Sequence, residues 1–385
     1  MLHLEQLRTD IRALGEHTVE RHQRQQAFCE QVLAQLAAPP EPGRLRQLVA
    51  HQPDAGDLAL PATDAPLNQR FTPKSAPSRG ITVIAVDGSQ IMPDRHAAVL
   101  YYLIQVGGLI FRYDGSTPTS HREATLHFEE SELYDNDGQI IGHQLGMRRT
   151  VAEMDFLGQL TANVRAKGDA DPIVALTDGP LLWPHSGRTE EEQRLLPKYM
   201  TALKQLQEKR AMPAGFIERP GGSPLLNTLS LLPQERESDA DSARALAHLD
   251  DRMLMARFLA PGEHTIWLKR PSPMNRQHAR HGHDIWFYYL NVGAPGHPVI
   301  ARVETPAWAA STEGWSMHLH IALVHQAAVL HGYPYALARA HELALVTQED
   351  KTALDNLLQR RLMEAGISTH PSEKARQKSY LGRRR

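Results

Sequence analysis

Two aspartates stand where an apolar run stops. Ile81 to Val86 (ITVIAV) leads into Asp87-Gly88-Ser89, and Ile173 to Leu176 (IVAL) leads past one threonine into Asp178-Gly179. A carboxylate at the carboxyl end of a buried strand sits where the sheet meets solvent, and a following glycine lets the backbone turn away. If the two strands are neighbours, the carboxylates converge, and their like charges call for a cation between them. All-oxygen ligation suits Mg²⁺ or Mn²⁺. Such ions activate water and stabilise both oxygens of an in-line phosphoryl displacement. The plain alternative is that each Asp-Gly only makes a turn.

Further candidates lie between and beyond the two. Glu153 sits in a helical stretch after Arg148-Arg149, with Glu129, Glu130 and Glu132 competing from a loop. Arg302-Val-Glu304-Thr-Pro306 sets opposite charges on one face of a strand, as a substrate contact or a structural ion pair. In Tyr333-Pro334…His341, Pro334 suits the first helical position. His341 then shares a face with Leu337 and Leu345, and Tyr333 lies two turns off, roughly 12 Å along the axis. His278, His281 and His283 have no cysteine partner and read as a solvated loop or a DNA-facing patch. Lys269, Arg270, Arg276 and Arg280 nearby would suit phosphate contacts. Trp308 and Trp315 read as packing residues.

The elements that must position these residues are legible in outline. Positions 2–38 show a helical apolar stripe ended by Pro39-Pro40, and 39–80 reads as a linker with one short helix near 44–51. Strands are expected at 81–86, 97–106 and 109–113 as a meander, then a helix over 142–167 and a strand at 173–176. Beyond these come a helix at 199–210, a strand at 214–218, a helix at 243–259, strands at 265–269, 284–290 and 299–303, and helices at 312–331, 334–346 and 349–364. One large domain over 81–350 and a C-terminal helix with a basic tail over 351–385 complete the expected organisation.

With 385 residues, 41% of them hydrophobic, the chain can bury a core, which excludes wholesale disorder. The longest nearly unbroken apolar run is too short and too interrupted to span a membrane. A single cysteine excludes a disulfide framework and any multi-cysteine zinc site. A cytoplasmic protein is expected. The net charge of −2 provides no global field for nucleic acid, so local clusters or bound metal would have to attract it. Walker, dinucleotide-binding, zincin and nucleophile-elbow motifs are all absent.

The β-β-β-α-β order resembles the start of the ribonuclease H-like fold, and the fold class expected is α/β, a mixed sheet flanked by helices with an N-terminal helical extension. Val-Asp87-Gly-Ser89, Arg-x-x-x-Glu153, Thr-Asp178-Gly-Pro-Leu-Leu, Arg302-x-Glu304-x-Pro306 and Tyr333-Pro334…His341, in that order, resemble the NurA family. The resemblance implies a 5′-3′ nuclease acting with a HerA-type hexameric ATPase in DNA end resection for double-strand break repair. It implies a homodimer that admits single- or double-stranded DNA. Asp87, Glu153, Asp178 and His341 would form a Mn²⁺ site, Mg²⁺ being the alternative, with Tyr333 an active-site partner. Arg302, Lys269 and Arg270 are candidate substrate contacts. Pro180 departs from the family's usual Ser-Leu after the second Asp-Gly. A degenerate adaptor of the translocase and an actin- or hexokinase-like phosphotransferase are the rival readings.

Overall fold

The computed structural model describes residues 4–52, 55–72, 80–95, 97, 99–135, 138–140, 142–184, 189–232 and 249–367. The basic tail expected beyond 367 lies outside them. The chain forms two compact units, each assembled from three stretches: 1–76, 179–183 and 214–334 in the first, and 77–178, 184–213 and 335–385 in the second.

In the first unit, the N-terminal helix Arg8–Ala37 buries only its last third. Phe28, Cys29, Val32 and Leu36 enter a core with Leu225, Leu254, Met255, Phe287, Tyr289 and Ile300, whereas Leu4, Ile11 and Leu14 stay exposed. The short helix of the linker is present as Pro42–Ala50. The expected strand at 265–269 splits into His264–Thr265 and Leu268–Lys269. Of the helix expected at 243–259, the described part is Asp251–Phe258, capped by Asp250. Strand Ile285–Asn291 pairs antiparallel with Ile300–Pro306.

The histidine-rich stretch corrects its expectation. Residues Pro273–Arg280 form a helix capped by Ser272, and His278 and His283 are buried. The His278 imidazole accepts the Trp183 N–H at 3.1 Å, and His283 accepts from the Trp308 indole at 3.2 Å. They are core histidines, and of the three only His281 faces solvent.

In the second unit, strands β1 (Thr82–Ile91), β2 (Tyr102–Arg112) and β3 (Thr119–His127) make the meander. Helix α1 (Gly142–Ala166) then crosses to strand β4 (Ile173–Asp178). Helix α2 (Glu190–Glu208) follows, closed by a capping box from Thr189. Strand β5 (Ala211–Ile217) gives its first three residues to this unit and the remainder to the other. Helices α3 (Tyr335–Ala344) and α4 (Gln348–Glu364) complete the unit. The strand order is β5-β4-β1-β2-β3, with β1 and β4 parallel and the meander antiparallel. This is the mixed α/β class expected.

Two boundaries differ from expectation. Asp87 is not the last residue of its strand, because β1 continues through Ile91. Nor does Gly107-Gly108 separate two strands, because β2 runs straight through it. The third strand lies instead at Thr119–His127, whose largely exposed sequence carries no apolar alternation.

Candidate carboxylate site

The parallel register pairs Val86 with Thr177, so Asp87 and Asp178, one residue further on, occupy equivalent positions on adjacent strands. Neighbouring strands lie about 4.8 Å apart. Asp178 ends β4 and is exposed, and the φ of +92° at Gly179 takes the chain away from the sheet. Asp87 is held more closely, with a side chain 15% exposed. It accepts the Gly88 N–H at 2.8 Å on one oxygen and contacts His341 Nδ1 at 2.7 Å with the other.

Cross-strand partners share a face of the sheet, so Asp87, Ser89, Gln105 and Gly107 form one side and Gly88 and Gly108 the other. Helix α3 lies on the first side. A Cβ on Gly107 would collide with the backbone of Leu343 and Ala344, so only glycine admits the helix there. Ser89 Oγ and Gln105 Nε2 donate to the carbonyls that end α3, Gln105 reaching Ala344 O at 3.0 Å. These orphan carbonyls need donors, and the bonds fix the helix that carries His341. Helix α1 lies on the opposite side. A Cβ on Gly108 would meet Leu160 at 2.5 Å, and one on Gly88 would meet Glu153 Oε1 at 2.6 Å and Arg149 Cγ at 2.8 Å.

Gly88 therefore leaves the room that the Glu153 carboxylate occupies. That side chain is only 12% exposed and pairs with Arg149 at 3.1 Å. Burial pushes the Glu153 carboxyl up to about 8; Arg149 acts against this, and the charges of Asp87 and Asp178 act with it. Among the described residues, no three His, Cys, Asp or Glu side chains are gathered in a way that could hold one ion. The structure thus brings Asp87 and His341 into contact and Glu153 within electrostatic reach of both aspartates. Each of Asp87 and Glu153 is turned to a protein partner.

Residues 81–346 match the family model described as the NurA domain. The chain belongs to the NurA family. No curated protein matches it. Among solved structures, a crystal structure of NurA aligns with a TM-score of 0.40 at 11% identity, covering 75% of this chain and 90% of that one. NurA with manganese aligns at 0.41 and 11%, covering 75% and 91%. NurA bound to dAMP and manganese aligns at 0.35 and 12%, covering 74% and 90%.

The other NurA-like positions lie in the first unit. The helix opens at Tyr335 rather than at Pro334, and the Tyr333 ring before it meets Phe216 edge-on at 5.8 Å. Arg302 is no exposed cation. It is buried, paired with Glu304 at 2.8 Å and stacked over Phe287. The other oxygen of Glu304 accepts the Leu181 and Leu182 N–H groups at 2.9 and 3.0 Å. The Gly179 N–H donates to Phe216 O at 2.8 Å, and a Cβ on Gly215 would strike Gly179 O and Leu181 N at 2.6 Å. The segment that follows Asp178 in the chain is therefore pinned within the first unit. Arg270 donates to Gly56 O and to Asp57 at 2.7 Å, and Lys269 lies 3.9 Å from Asp284. Sequence reasoning named Ser89 and Arg149 within motifs but gave neither these roles, read Gly107-Gly108 as a break between strands, and missed Gln105. A polar position inside an apolar strand was the only signal of Gln105. Among the described residues, no helix is long and apolar enough to cross a membrane.

Proposed function

We propose that this NurA-family chain is a metal-dependent deoxyribonuclease. The observation that carries the reading is the equivalent placement of Asp87 and Asp178 on adjacent parallel strands, with a buried Glu153 whose proton affinity both raise. Carboxylates within electrostatic reach of one another are a donor set that a hard divalent cation would fit. Asp87 and Asp178 would hold it, Glu153 joining them by turning from Arg149, with His341 beside them. When bound, Mn²⁺ or Mg²⁺ would supply Lewis acidity toward a phosphodiester and a more acidic water.

The chain's own residues account for the rest. Asp87 orients the His341 imidazole through Nδ1. The other ring nitrogen has no hydrogen bond among the described residues, and the side chain is 65% exposed, which leaves it open to hold or pass a proton. Arg149 balances Glu153 until a cation takes its place. Single- and double-stranded DNA ends are the substrates on this reading. The chain works as a homodimer beside a HerA-type ATPase in double-strand break resection, with 5′-3′ polarity.

The test is cleavage of 5′- and 3′-end-labelled DNA, single- and double-stranded, in Mn²⁺, Mg²⁺ or EDTA, with Asp87→Ala and Asp178→Ala alongside. Metal-dependent degradation lost in both variants supports the reading, and the label pattern reports polarity. Folded protein that cleaves nothing in any metal, even with its ATPase present, overturns it.

A further inference from the structure

The first unit carries an open cavity of about 640 Å³ with no assigned role. Its floor is apolar, made by Val299 and Ile300 at the start of one strand and by Met253 and Ala256 from helix Asp251–Phe258. Its walls bring Arg219, Arg252 and His331, with Glu218 as the opposing acid and Tyr333 at one side. Arg219 and His331 have no ion pair or hydrogen bond among the described residues. Arg252 reaches Asp250 at 3.3 Å, but the two side chains are 44% and 25% exposed. An exposed pair of that kind holds its partner weakly. His331 sits at φ +56°, in the left-handed region seldom adopted by residues other than glycine. Gly332 beside it packs on Val299.

Weakly compensated cations beside apolar and aromatic side chains are the combination that holds a strand by its phosphates while its bases leave water. A free anion would need only the cations, and an apolar peptide would not need them. The geometry points to this cavity as a groove for single-stranded DNA, with Arg219 and Arg252 on phosphates and bases over Val299 and Tyr333. This rests on the nuclease reading and names where that enzyme grips its strand.

The test uses the full chain in EDTA and a fluorescent oligothymidylate, with anisotropy followed across NaCl concentrations. Arg219→Ala/Arg252→Ala is compared with wild type and with Arg361→Ala, which removes one exposed cation from α4. The double variant should lose affinity on the order of tenfold, and its log–log salt slope should shrink by roughly 1.4, two phosphates at about 0.7 each. Arg361→Ala should bind like wild type. A double variant with unchanged slope overturns the groove, as does equal loss in Arg361→Ala, which would mark a general charge effect. Because binding is read without metal, wild type that binds but never cleaves defeats the nuclease reading and leaves the groove standing. Cleavage with unchanged binding in the double variant does the reverse.

Discussion

The two Asp-Gly pairs look alike in the sequence and are built for different purposes. At Asp87-Gly88 the strand continues, and the glycine is required because Glu153 and Arg149 occupy the space of its missing side chain. At Asp178-Gly179 the strand stops. The glycine has φ +92° with nothing within 4 Å of a would-be Cβ, so its backbone conformation is the requirement. One pair makes room and the other makes a bend. The first carboxylate is gripped by His341 and by the Gly88 N–H, and the second is followed by a segment held by Glu304. Identical dipeptides therefore fail in different ways when altered.

The largest effect is expected on the Asp178 side. Glu304→Ala would strand the Leu181 and Leu182 N–H groups and leave Arg302 charged and buried, costing about 3–5 kcal/mol in urea unfolding. Loss under 1 kcal/mol would show that the segment is held by other means. Gly88→Ala comes next. It pushes α1 off β1, with about 1–3 kcal/mol lost to overpacking and cleavage falling with it, as thermal unfolding and the end-label assay would record. A variant with wild-type activity would mean that Glu153 need not stand where it does.

Glu153 adds a pH dependence with a defined sign. Its carboxyl lies at about 8 in the fold, against 4.5 for the ordinary group, so the folded state favours the proton. Stability of the metal-free protein should fall as pH rises from about 4.5 toward 8 and level off above that. Glu153→Gln removes this slope. In EDTA it should be the more stable protein at pH 8.5, by up to roughly 5 kcal/mol, and no different below pH 4, while its cleavage is lost. Parallel melting curves across that range would sink the assignment. Gly179→Ala should be the mildest change, about 1 kcal/mol of backbone strain without a clash. A loss as large as that of Gly88→Ala would abolish the distinction drawn between the two glycines.

Much of this was legible. The apolar runs gave both strands and both aspartates, and the helix after the meander gave Glu153, because burial on a sheet leaves a continuous hydrophobic mark. The extension of β1 past Asp87 was not, since Gly88-Ser89-Gln90 has the composition of a turn. Its pairing with β2 and the seating of α3 override that propensity. Strand β3 was hidden because its exposed faces leave no alternation to detect. His278 and His283 were misread for a related cause, as burial by distant partners such as Trp183 and Trp308 leaves no local trace. The interleaving of the two units likewise depends on contacts far apart in sequence.

Consecutive glycines in β2 admit α3 on one face and α1 on the other. The strand thereby acts as a common ruler. The helices bearing Glu153 and His341 are each indexed against neighbouring residues of one extended backbone rather than against each other. A slide of β2 by one residue would leave one glycine for the two seats, set Val106 or Leu109 against a helix in the other, and move both side chains at once. The offset between acid and imidazole is thus a property of a single strand, and alignment errors along the rest of the helices do not accumulate in it.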